Sequence, residues 1–183
     1  MLLLLLVAPT ITVAAELRSV TFEKRDGLYY ATSEIWLDAE REGIFDVLSN
    51  WDLSTQFSSM IVESYNIEPD DQGRIGFYMK NRGCVLFFCK TMERYGYLES
   101  EENALIRAIA IPEKSDFEVS DERWHLEEEN DGTRIRYEMT MKPKFWIPPI
   151  IGPYAIKKKI RKDGLEALQR VERYVQESAS NDE

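Results

Sequence analysis

One histidine and two cysteines are all this chain offers a soft metal or a nucleophilic triad. That count excludes a His-rich metal site, and Cys84, Cys89 and His125 do not have the spacing of a zinc clip. No nucleophile elbow, phosphate loop, dinucleotide fingerprint or paired-histidine motif occurs. Glycine and proline are scarce, at 9 and 7, and no repeat or low-complexity linker interrupts the chain, which excludes wholesale disorder. Positive charge is also short. With 23 Lys+Arg against 33 Asp+Glu the net charge is −10, which argues against nucleic-acid binding, since phosphate contacts need a broad basic face. What is present, 183 residues at 44% hydrophobic and 31% charged, is enough for one well-cored domain and too little for two.

His125, between Trp124 and Leu126, alternates onto the face opposite them and reads as a surface strand residue. The acidic run Glu127-Glu128-Glu129 lacks the spaced oxygen ligands of a calcium loop and reads as a solvated hairpin tip. No catalytic residue, metal ligand or cofactor site is assigned.

Residues 1–15 read as a signal peptide. Leu2 to Val7 is purely apolar, and Val13-Ala14-Ala15 before Glu16 matches a cleavage site after Ala15. The segment is too short to span a bilayer. No Lys or Arg precedes the leucines, so either the true start lies upstream of Met1 or the segment is a weak signal. The expectation is a periplasmic or secreted protein; the alternative is a frayed apolar terminus on a cytosolic one. Export would permit a disulfide, but five residues of continuous strand cover about 16 Å, whereas bridged Cα atoms lie within about 7 Å. Cys84 and Cys89 are therefore expected as two buried strand thiols.

Strands are expected over 17–24 and 28–37, joined by Arg25-Asp26-Gly27. Asp38 is expected to cap a short helix with the apolar stripe Ile44, Phe45, Val47 and Leu48. A second helical turn follows, ending at Phe57. Further strands are expected over 59–68, 74–81 (stopped by Asn81-Arg82-Gly83), 84–98 and 104–111. A last hairpin, 116–128 with 133–142, alternates Ile135, Tyr137, Met139 and Met141 onto one face. Its first strand changes parity between Phe117 and Val119 and the later pair Trp124 and Leu126, which points to a β-bulge near Ser120-Asp121. From about Ile150 to Gln176 the period is helical, with Ile156, Ile160, Gly164, Ala167, Leu168, Val171 and Val175 on one face. The domain then spans 16–176, and 177–183 is a frayed acidic tail. The class is α+β, a curved antiparallel sheet gripping a long C-terminal helix, with two short helices inserted after the first strands.

Between Lys142 and Lys162 lie seven basic residues and no acidic one, around the apolar loop Phe145-Trp146-Ile147-Pro148-Pro149-Ile150-Ile151. Lys157, Lys158 and Lys159 are expected near the positive end of the helix macrodipole, which slightly disfavours them. A cluster kept against that cost points to an anionic membrane surface, with Trp146 as interfacial anchor and Lys157, Lys158, Lys159, Arg161 and Lys162 on headgroups. The competing reading is a proline-stiffened connector followed by a solvated helix face.

The stretch Glu34-Ile35-Trp36-Leu37-Asp38-Ala39 leading to Ile44-Phe45-Asp46-Val47-Leu48 resembles the START-like, or SRPBCC, superfamily, nearest the polyketide-cyclase and coenzyme-Q-binding group. So do the turn Trp51-Asp52-Leu53…Phe57, the hairpin Trp124-His125-Leu126…Gly132-Thr133-Arg134-Ile135-Arg136-Tyr137-Glu138-Met139, and the final amphipathic helix. Ser54-Thr55-Gln56 stands where that family usually has a proline. The resemblance implies a helix-grip fold around a hydrophobic cavity. Phe57, Phe77, Met79, Leu86, Phe88, Trp124, Tyr137, Met139 and Gly164 are then the candidate ligand-binding residues, since aromatic and sulfur-bearing walls suit lipid-like molecules. Ile75 shares the parity of Phe77 and Met79. Gly164 leaves room on the inward stripe where a side chain would otherwise stand. The leading expectation is an exported monomer binding a lipid, quinone or polyisoprenoid. A polyketide cyclase or aromatase, using Arg107, Tyr137 or Tyr30 in the cavity, stays open as the alternative. So does an interaction module like the family's ribosome-associated toxins.

Overall fold

The computed structural model describes residues 15–85, 88–147 and 151–181; residues 1–14 of the expected leader, with Leu86, Phe87 and Pro148 to Ile150, lie outside them. The chain opens with the hairpin β1 (Glu16–Arg25) and β2 (Leu28–Leu37). Asp26 and Gly27 turn it with φ of 50° and 80°, the left-handed pair that a two-residue hairpin needs. Next come α1 (Arg41–Ser49), a 3-10 turn (Trp51–Leu53) and α2 (Ser54–Phe57). Then the chain runs through β3 (Ile61–Ile67), β4 (Gly76–Val85), β5 (Phe88–Glu101), β6 (Leu105–Ala110), β7 (Phe117–Glu129) and β8 (Gly132–Pro143). It closes with α3 (Ile151–Asn181).

The eight strands form one antiparallel sheet in the order β1-β2-β8-β7-β6-β5-β4-β3. Because β2 pairs with the last strand, the short helices carry the chain from one side of the sheet to its far edge. This is the expected α+β helix-grip arrangement, the curved sheet closing on α3.

Two apolar clusters hold it. Alternate residues of β2 turn inward, and Ile35 and Leu37 pack with Ile44, Val47, Leu126 and Ile135 against Val171 and Val175 of α3. The second cluster sets Trp51 on Phe77, ring centroids 4.0 Å apart, beside Met79, Leu98 and Ala108. Gly96 makes that packing feasible, since a Cβ there would stand 2.6 Å from the Phe77 ring and 2.1 Å from the Ile109 carbonyl oxygen.

Several local expectations are corrected. Glu40, not Asp38, precedes α1, and its side chain makes no cap bond. The Asp38 N–H instead donates to Glu172 Oε1 at 2.7 Å, and its carbonyl accepts from Gln176 Nε2. Asn81-Arg82-Gly83 is no turn. It lies inside β4, because Gly27 and Gly73 take positive φ among the described glycines and Gly83 does not. Val85 stands opposite Phe88 in an antiparallel pair, so the expected strand over 84–98 is split between two strands. The register shift in β7 falls between Phe117 and Val119; Ser120 and Glu122 join the inward face and Val119 turns outward. Ile75 is also exposed, as it precedes β4. Helix α3 continues to Asn181, through most of the stretch expected to fray.

Glu172, 5% exposed, fastens α3 to the start of the sheet, accepting from the N–H groups of Asp38 and Ala15, the latter at 3.0 Å. Replacing Glu172 with Ala strands the Asp38 N–H, which a cleavage after Ala15 leaves in place, and chemical denaturation is expected to show a loss of about 1–3 kcal/mol.

Candidate functional site

A cavity of about 500 Å³ opens between the sheet and α3, within the roughly 300–1,000 Å³ typical of small-molecule sites. Its helical wall is the apolar stripe read from the sequence: Ile156, Ile160, Gly164, Ala167, Leu168 and Val171. Its floor comes from the inward alternates of β8, Tyr137, Met139 and Met141, with Trp124 of β7 and Met79 of β4. Trp51 and Phe57, delivered by the 3-10 turn and α2, close one side. At Gly164 an added Cβ would meet no heavy atom within 4 Å. The missing side chain is open space.

Of the candidate ligand-binding residues, Phe57, Met79, Trp124, Tyr137, Met139 and Gly164 line the cavity. Phe77 does not. It is 1% exposed and covered by Trp51, which takes the lining position in its place. Leu86 and the side chain of Phe88 lie outside the described residues. The sequence reading also passed over a buried polar cluster on the cavity wall. Arg94 of β5 bonds through Nη1 to Ser120 Oγ at 3.2 Å and to the Glu122 carboxylate, and through Nη2 to the Met79 sulfur at 3.0 Å. Arg94 and Glu122 are 7% and 6% exposed. Tyr137 sits beside them. Burial, and then the adjacent Glu122 carboxylate, push its phenol well above the usual range, so at neutral pH it stays protonated and able to donate. Parity held the signal: Arg94 falls in register with Met92 and Leu98, and Glu122 with Trp124 and Leu126.

The alternative catalytic candidates sit elsewhere. Arg107 donates to Asp121 from Nε at 3.0 Å and Nη2 at 2.8 Å, and to Glu99 at 3.0 Å, on the sheet face away from the cavity. There Asp121, though burial opposes its charge, is held below the usual carboxylate range by Arg107 and Arg123. Tyr30 is not a lining residue; the Arg25 guanidinium covers its ring. His125 is half-exposed and 3.8 Å from Glu138. Among the described residues no cluster of His, Cys, Asp and Glu could hold a metal ion.

The exposed lining residues, Arg82, Cys84 and Trp146, mark the mouth, where Lys90 and Lys159 also border the cavity. Trp146 is 70% exposed and Tyr154 72%. Lys157, Lys158, Arg161 and Lys162 are exposed, while Lys159 pairs with Asp163 at 2.5 Å. Since α3 starts at Ile151, Lys157 comes more than a turn into the helix, so the expected macrodipole cost does not apply.

Cys84 and Cys89 are joined in a disulfide, which overturns the expectation of two buried thiols. They face each other across the β4–β5 pair with Cα atoms 4.0 Å apart. The distance argument assumed one continuous strand, and the chain reverses between them. Both residues are exposed. A maleimide is therefore expected to label the native protein only after reduction; labelling of unreduced protein would contradict the bridge.

No family model matches the sequence, and no curated protein matches it. Solved structures do. A START superfamily protein from Mycobacterium smegmatis is 16% identical at a TM-score of 0.62, covering 81% of this chain and 97% of its own. The fold is START-like. A STAR-related lipid transfer protein from Xanthomonas axonopodis, 18% identical, reaches a TM-score of 0.67 over 88% of this chain and 99% of its own. Zhui aromatase/cyclase from a Streptomyces species, 10% identical, reaches 0.61 over 81% and 94%. The START-like frame accounts for the placement of the cavity between sheet and long helix.

Proposed function

We propose that this protein is an exported carrier that holds one hydrophobic small molecule in the cavity and exchanges it with an anionic membrane surface. The observation that carries the reading is the apolar cavity of about 500 Å³ whose inner wall lacks a side chain at Gly164. Its likeness in fold to a lipid transfer protein supports the same reading. Export is supported by the Cys84–Cys89 bridge, since disulfides persist in oxidising compartments. The mouth supports docking. Trp146 and Tyr154 offer exposed amphipathic rings, Arg82 and Lys90 border the cavity, and Lys157, Lys158 and Lys162 stand exposed on α3 of an otherwise acidic chain. Each basic residue near an anionic surface contributes about 1 kcal/mol, weakened by salt.

The test has two parts. An environment-sensitive apolar dye is expected to bind saturably at one per chain, and absence of saturable binding would overturn the carrier reading. Vesicles rich in phosphatidylglycerol are expected to sediment the protein at low salt and release it at high salt. Replacing Lys157, Lys158 and Lys162 with Gln is expected to weaken that association about a hundredfold without shifting the melting temperature. Equal sedimentation by the variant would make the basic cluster a solvated face only.

A second reading, a cyclase-type enzyme, has one observation in its favour: Arg94, Glu122 and Tyr137 bring donors and an acceptor together inside apolar walls. Chemically altered ligand recovered after incubation would favour the enzyme, and unaltered ligand the carrier.

A further inference from the structure

We infer that the cavity selects a neutral molecule with a hydrogen-bond-accepting oxygen, such as a ketone, quinone or ester, and seats that oxygen at Arg94. This rests on the carrier reading and goes on to name the chemistry of the ligand.

A guanidinium has five N–H donors and no way to give one up. In Arg94, Nη1 is well served, by Ser120 Oγ at 3.2 Å and by Glu122. Among the described residues Nη2 has only the Met79 sulfur, at 3.0 Å, and a thioether is a weak acceptor. Nε is buried with no partner among the described residues. Buried donors without acceptors are uncommon in native proteins and carry the full cost of lost hydration. The side chain is 8% exposed and belongs to the cavity wall. The group that stands on it, Met79, is unbranched and adaptable, so its thioether is the one a ligand oxygen can displace. The Tyr137 phenol, on the same wall, donates its one proton to the Glu122 carboxylate and leaves the ligand to Arg94.

Charge decides between kinds of oxygen. Arg94 and Glu122 cancel each other at contact distance, and Tyr137 is neutral. A ligand carboxylate would set two carboxylates on one desolvated guanidinium, and an ammonium head would face the guanidinium directly; both are unfavourable in a dry site. A bare hydrocarbon would fill the volume and leave Nη2 with the thioether alone. Only a neutral acceptor answers both the volume and the donors.

Three probes of equal chain length test this, an alkane, its methyl ketone and its carboxylic acid, titrated against the fluorescence of Trp51 and Trp124. The ketone is expected to bind at least about tenfold more tightly than either of the others, the factor that a hydrogen bond from a charged donor supplies. In the double variant Arg94→Met/Glu122→Gln, chosen so that no charge is left unpaired, ketone and alkane are expected to bind equally. The wild-type ranking stands without any variant, so the test does not depend on the variant folding. Equal binding of ketone and alkane to wild type overturns this inference while leaving the carrier reading intact. Preference for the acid overturns it too, as does a ketone preference that survives in the double variant. No binding by any of the three would overturn both.

Discussion

Replacing Arg94 alone with Met is expected to lower the unfolding free energy by about 3–5 kcal/mol, because it leaves the Glu122 carboxylate charged and unpaired in the wall of the cavity. Glu122 is 6% exposed, and among the described residues it forms an ion pair with Arg94 alone. The loss reports the stranded charge more than the value of the pair. The double variant Arg94→Met/Glu122→Gln should accordingly recover most of it, to within about 1–2 kcal/mol of wild type, since removing both charges from a buried pair is often near neutral. Urea unfolding of the two variants side by side checks this. Equal destabilisation of both would mean that packing, not charge, sets the cost.

Replacing Gly164 with Phe is expected to abolish uptake of an apolar probe while leaving the fold at least as stable as wild type. No heavy atom lies within 4 Å of a Cβ built at this position, so the ring projects into empty volume instead of displacing the core. A mid-helix glycine costs about 0.5–1 kcal/mol relative to Ala, so Gly164→Ala is expected to gain that amount and bind nearly as wild type does. The pair separates helix propensity from cavity volume. A Phe variant that melts early would show that α3 already packs tightly on the sheet at this point; one that still binds would place the ligand elsewhere.

The parts that could be read in advance were those governed by a strict period. The seven-residue inward stripe of α3 and the alternation of Ile135, Tyr137, Met139 and Met141 each bury one face, and burial admits one register. The helix-grip arrangement followed from their order. The misreadings came where a turn signal had to be weighed against pairing. Asn81-Arg82-Gly83 has turn composition, but β5 offers partners on through Val85, and the ladder prevails. That single misplacement also hid the disulfide, because the cysteines looked far apart along one strand. Phe77 failed for a different reason. Parity gives the face a residue points to, but not that Trp51, arriving from the 3-10 turn, would cover it. Arg94 and Glu122 stood at inward positions of their strands, and recognising them required accepting a charged pair where the pattern called for apolar residues.

Native mass spectrometry of the protein purified without detergent and then incubated with a total lipid extract tests the central claim most directly. The account predicts one neutral, organic-extractable molecule per chain on wild type and none on Gly164→Phe. Wild type that stays at its unliganded mass, or two proteins that retain the same molecule equally, would contradict it.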